Sequence, residues 1–138
     1  MRVGLAVSVM LAVDTNVILR LIVEDDPEQM HAVRLLLRKE TFWISKSVVL
    51  EMIWVLEAFY KYDRATIHEL FEILVGMPNL EVEHKPEVIE ALDSMSHGVD
   101  PADAMHLASA PHGTKFVTFD RDLNRTAKLA GATNVAAI

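Results

Sequence analysis

The 138 residues carry a formal net charge of −7, with 51% hydrophobic and 24% charged side chains and no cysteine. That length suits one domain, able to bury roughly two thirds of its unfolded surface. Without cysteine there is no disulfide framework, thiolate zinc site or cysteine nucleophile, a composition that fits a reducing cytoplasm. The acidic balance argues against a passive nucleic-acid coat, which is normally basic, but leaves room for an enzyme whose acids take up divalent cations.

In chain order, MRVGLAVSVMLAV has the outline of a secretory signal, a positive residue and then an apolar run. It flows into Asp14 without a small-x-small cleavage site and is too short to span a bilayer. We read residues 10–13 as a buried strand ending at Asp14 and residues 1–9 as an extension ahead of a start at Met10. Thr15 and Asn16 supply turn or cap chemistry before a short helix, NVILRLIVED. Asp25 and Asp26 precede Pro27, which opens the helix PEQMHAVRLLLRKE.

FWIS (42–45) is a short strand. Ser47 begins a long helix, SVVLEMIWVLEAFYKY, on which Glu57 and Lys61 form an i,i+4 pair. Asp63 caps RATIHELFEILVGM, NLEVE (79–83) alternates as a strand, and PEVIEALDSMSHG is a helix closed by Gly98. Asp100, Pro101 and Asp103 stand at N-cap, N1 and N3 of the helix before KFVTF (115–119), a strand running into Asp120. RDLNRTAKLAG and NVAAI complete the chain as helix and strand, with Asp122 a candidate to cap that helix. The alternation predicts an α/β fold with a parallel sheet covered on both faces, and no linker divides residues 10–138.

In parallel α/β sheets, ligands bind beyond the carboxyl ends of the strands. Two strands here end directly in an acid, Asp14 and Asp120. Glu51 shares a helical stripe with Val48, Val55 and Ala58, about 120° from Glu57 on the wet face. A buried charge needs a partner, and no basic residue lies between Lys46 and Lys61. Asp103 heads a nearly all-apolar helix, AMHLASA following it. Asp100 is read chiefly as the cap, Asp103 as both cap and chemistry. Four acids with no matching lysine, cysteine or catalytic serine suggest a hard-cation site for Mg²⁺ or Mn²⁺, completed by a phosphodiester.

His106 reads as a half-buried packing residue, and Trp43, Trp54, Phe59 and Tyr60 as core or interface. Arg34, Arg38, Lys39, Lys46, Lys61, Arg64, Lys115, Arg121, Arg125 and Lys128 read as solvated faces, some within reach of a nucleic-acid backbone.

MLAVDTNVILRLI (10–22), SVVLEMIWVL (47–56), VDPADAMHLASA (99–110) and FVTFDRDL (116–123) together resemble PIN-domain ribonucleases, specifically the VapC toxins of bacterial and archaeal toxin–antitoxin pairs. The resemblance implies a three-layer α/β/α PIN-like fold over residues 10–138, with a central, mostly parallel sheet. It implies Asp14, Glu51, Asp103 and Asp120 as catalytic, metal-binding acids, Asn16 and Thr118 behind them, and Asp100 and Asp122 as accessory acids. Arg121 and Arg125 would contact RNA, with Lys128 beside them. It further implies Mg²⁺, or Mn²⁺ as the alternative, metal-assisted RNA hydrolysis, a cognate antitoxin, a homodimer and a cytoplasmic protein without membrane association. The extension at 1–9 departs from the family pattern.

Other classes fit less well. A haloacid-dehalogenase-type phosphatase needs a second Asp where Asn16 stands and a Lys that Lys115 supplies poorly; a phospho-receiver domain wants paired acids after its first strand. An RNA-processing PIN nuclease and a PIN scaffold that binds without cutting both remain open.

Overall fold

In the computed structural model, residues 10–138 are described, and five strands and seven helices lie among them. The readings of residues 1–9, as extension or signal, fall outside the described residues. Strands β1 (Met10–Ala12), β2 (Thr41–Ile44) and β3 (Leu80–Val82) form a parallel sheet in that order. Strands β4 (Phe116–Thr118) and β5 (Val135–Ala137) form a second parallel pair.

Every pairing is parallel, as strands joined through helices require, and the architecture is a three-layer α/β/α fold. The expected central sheet is divided: among the described residues no ladder joins β1 to β4. Each strand has only three or four residues, so any one ladder is a few bonds and helix packing carries the rest.

Local chemistry explains the helices. Helix α1 (Thr15–Leu19) is capped by Asp14, whose carboxylate accepts from Val17 N–H at 3.1 Å. Helix α2 (Pro27–Lys39) has Asp26 as cap and Pro27 as first residue, where its missing N–H costs nothing. Helix α3 (Lys46–Ala58) begins one residue earlier than Ser47 because Ser45 is the cap, its hydroxyl accepting from Val48 N–H. Asp63 caps α4 (Arg64–Val75), and α5 (Lys85–Ser96) ends before Gly98, whose φ of +99° favours a residue without Cβ. Helices α6 (Pro101–Ser109) and α7 (Arg121–Leu129) are capped by Asp100 and Asp120. Asp122, read from the sequence as a candidate cap of the last helix, lies in the first turn of α7 instead.

The core is built from one face of the sheet and the stripes laid on it. Phe42 and Ile44 of β2 point with their register partners Leu80 and Val82 of β3 to the buried side. Helix α3 contributes Val49, Met52, Ile53 and Leu56, the i, i+3, i+4, i+7 pattern of a core-facing stripe. Ile67, Phe71 and Leu74 of α4 and Val88, Ala91, Leu92 and Met95 of α5 complete it.

Several expectations change. The first strand is not fully buried: Met10 is 57% exposed, because it stands at an outer edge. Helix α3 ends at Ala58, so Lys61 leaves the helix with a left-handed φ of 61° and cannot meet Glu57. Glu57 pairs with Arg64 Nε at 2.9 Å. Trp54 and Phe59 are exposed rather than core, since they lie off the α3 stripe that faces the sheet, while Trp43 and Tyr60 are half-buried. Lys46 is no solvated cation: its ammonium reaches Glu87 at 3.0 Å and Ser109 Oγ at 2.9 Å, tying α3 to α5 and α6.

Candidate active site

The acids stand at starts of helices and on one helix flank. Asp14 lies two residues past β1 and Asp120 two past β4, so each emerges beyond the carboxyl end of a strand. Each spends one oxygen on the helix it caps: Asp14 Oδ1 on Val17, and Asp120 Oδ1 on Leu123 N–H at 3.0 Å. The Asp120 N–H in turn donates to Thr118 Oγ1 at 3.0 Å, fixing the turn that carries the acid. That puts Thr118 directly behind Asp120.

Glu51 is exposed, not buried as its apolar stripe suggested, and its partner is a hydroxyl rather than a cation. Because Val49, Met52, Ile53 and Leu56 face the core, the Val48–Glu51–Val55 stripe turns to the helix flank. There the buried Thr15 hydroxyl donates to Glu51 Oε1. Asp14, Thr15, Asn16, Glu51 and Val55 line one recess of about 230 Å³. Thr15 was not singled out as a site residue in the sequence. The signal was a hydroxyl in a segment whose neighbours Ile18 and Leu19 are core, since a buried hydroxyl needs a partner.

The second group is Asp100, Asp103 and Asp120, with His106. Asp100 accepts from Ala102 N–H at 3.1 Å and Asp103 N–H at 3.4 Å, the capping role read for it. Burial, then the negative charges of Asp100 and Asp120, push the Asp103 carboxyl above the usual carboxylate range, and His106 pulls it the other way. His106 is exposed rather than half-buried, because it lies on the opposite side of α6 from the core residues Ala104, Met105 and Ala108. Arg125 pairs with Asp122 at 3.3 Å, an exposed i,i+3 contact worth little to stability. Arg121 is exposed at the start of α7.

The acids thus fall into two sets, Asp14 with Glu51 and Asp103 with Asp100 and Asp120. Among the described residues, no three His, Cys, Asp or Glu side chains converge tightly enough to hold an ion by themselves. The donor chemistry still suits Mg²⁺, which keeps several waters and takes one or two carboxylates.

The PIN domain family profile matches residues 11–129, and the chain belongs to the PIN domain family. No individual curated protein matches it. PIN domains are generally nucleases, so the fold is of nuclease type, with a hydrolase activity and a nucleic-acid substrate as its natural counterparts. No helix among the described residues is long and apolar enough to cross a membrane.

Proposed function

We propose that this chain is a Mg²⁺-dependent endoribonuclease, with Mn²⁺ as the alternative ion, acting in the cytoplasm as the toxin of a VapBC-type toxin–antitoxin pair. The observation that carries the nuclease reading is the placement of Asp100, Asp103 and Asp120 at the heads of α6 and α7, in a chain of the PIN family.

Asp14 and Asp103 would hold the principal ion, and Glu51, steadied by Thr15, would complete its surroundings. The bound ion would supply Lewis acidity, lowering the pKa of water and neutralising the phosphate. Asp120 would order the attacking water through Oδ2, since Oδ1 is taken by Leu123. Water adds to phosphorus as the P–O3′ bond breaks, and the departing oxygen takes up a proton, leaving 5′-phosphate and 3′-hydroxyl ends. Asn16 and Thr118 would orient the carboxylates, with Asp100 and Asp122 accessory. Arg121, Arg125 and Lys128 would meet RNA phosphates, an attraction that weakens with salt.

An antitoxin and a homodimer belong to the same reading. Supporting them are the exposed Trp54 on α3 and Phe59 just past its end, and an apolar groove of about 480 Å³ between α2 and α4, lined by Leu37, Leu70, Ile73 and Leu74 with Arg34 and Arg38.

The test is cleavage of RNA by purified protein with Mg²⁺, Mn²⁺ or EDTA, beside Asp14→Asn, Glu51→Gln, Asp103→Asn and Asp120→Asn. Metal-dependent cutting that each substitution lowers at least a hundredfold, with folding intact, is the expected result. Wild-type protein that binds RNA without cutting it would make the chain a binding scaffold.

A further inference from the structure

Phe119 stands between Thr118 and Asp120 and is 82% exposed. Its position is fixed from both sides. Asp120 N–H donates to Thr118 Oγ1, Asp120 Oδ1 holds Leu123 N–H, and Ile138 N–H donates to Thr118 O at 2.9 Å. Burial alternates along β4, with Phe116 and Thr118 half-buried and Val117 exposed. Phe119 therefore continues the outward row. A large apolar ring is mounted on a pinned turn in water, one residue before a candidate catalytic carboxylate and two before the exposed Arg121.

Such a ring needs a flat apolar partner that tolerates charge beside it. The apolar core of a protein interface is depleted of charged residues, whereas Asp120, Arg121 and Asp122 follow Phe119 directly. A nucleotide has the matching pattern, a π-face on one side of the sugar and a phosphate on the other. Aromatic side chains stack on unpaired bases with little regard to base identity.

We propose that Phe119 stacks on an unpaired nucleobase next to the scissile phosphate and so holds the strand beside Asp120. This assignment rests on the nuclease reading. Stacking acts on the bound strand as a whole, so it enters KM more than kcat.

The experiment uses single-stranded oligoribonucleotides in which one abasic ribose is moved through the positions flanking the cut. Wild type, Phe119→Ala, Phe119→Trp and the control Leu129→Ala, an exposed residue at the far end of α7, are compared by steady-state cleavage, thermal melting and sedimentation. Phe119→Ala should melt like wild type and raise KM about tenfold, in the range of one lost stacking contact, with kcat within about twofold. One abasic position should raise KM by a similar factor in wild type, Phe119→Trp and Leu129→Ala, and add nothing in Phe119→Ala. An unchanged KM in Phe119→Ala, or the same abasic penalty in it, would overturn the assignment. So would a change in oligomeric state with cleavage unaffected, which would make the ring a protein contact. If wild type cuts no RNA while binding it, the nuclease reading itself fails and this assignment goes with it.

Discussion

The Thr15 hydroxyl, at the first residue of α1, donates to Glu51 Oε1 on α3, across 36 positions of sequence. Thr15 is 6% exposed, so the bond aims a carboxylate into the recess from a fixed anchor. Thr15→Val should leave that carboxylate free to rotate. We expect a loss of about 1 kcal/mol in stability, typical of one hydrogen bond, and roughly a tenfold fall in RNA cleavage, about 1.4 kcal/mol of lost positioning. Thr15→Ser should recover both in denaturant melts and cleavage assays. Equal activity in Thr15→Val and wild type would detach Glu51 from the chemistry.

Asp100 and Asp103 separate by substitution. Asp100→Ala removes the cap of α6 and should cost about 1 kcal/mol, and Asp100→Ser, which can accept the same backbone N–H groups, should restore most of it. Cleavage by Asp100→Ser should stay within about tenfold of wild type, one charge having been lost from the cluster. If Asp100→Ser is as inactive as Asp103→Asn, Asp100 belongs to the catalytic set.

Asp103 should show the opposite balance. Its ionised carboxyl is disfavoured by burial and by Asp100 and Asp120, so Asp103→Asn in EDTA should melt no lower than wild type. Mg²⁺ at ten times its dissociation constant should stabilise wild type by about 1.4 kcal/mol, roughly 5 °C in melting temperature. The variant should gain much less. Calorimetric melts with and without Mg²⁺ decide it, and an equal gain in both proteins would remove Asp103 from the metal site.

A third network lies away from the acids. Tyr60 Oη donates to Asp25 Oδ2 at 2.8 Å, and Asp25 also pairs with Arg20. Tyr60, and then Arg20, hold the Asp25 carboxyl below its ordinary value, while the Asp25 hydrogen bond raises the Tyr60 phenol. The raised phenol contributes stability below about pH 10 that is lost as pH climbs past it. The lowered carboxyl contributes stability above about pH 4 that is lost on acidification. Ultraviolet titration should therefore show Tyr60, identified by difference from Tyr60→Phe, ionising above pH 10 and shifting down in Asp25→Ala. No shift in that variant would mean the pair does not persist in solution.

What could be read from the sequence was what short range decides. Asp26–Pro27, Asp63, Asp100–Pro101 and Gly98 mark helix ends through contacts within a few residues, so their reading needed no tertiary structure. The environment of Glu51 did not follow, because α3 has two apolar stripes and only packing selects Val49, Met52, Ile53 and Leu56 for the core. The Glu57–Lys61 pair failed for a related reason: helix length beyond Ala58 was assumed, and the chain turns there. Lys46 was read as solvent-facing, and its partners Glu87 and Ser109 lie far along the chain. The parallel α/β fold is legible in the alternation of strands and helices, and the PIN family in motifs spread along the chain, each weak alone.

The divided sheet has a mechanical consequence. Asp14 rides on the three-stranded slab and Asp120 on the two-stranded one, and among the described residues no ladder laces the slabs together. Among the described residues the two slabs are then held to each other by side-chain and helix packing, a softer spring than a row of backbone bonds. A divalent ion or a phosphate seated between them would work as a rivet, stiffening both slabs at once. Loading the site should therefore slow amide hydrogen exchange in β1 and β4 together, in backbone that touches no ligand.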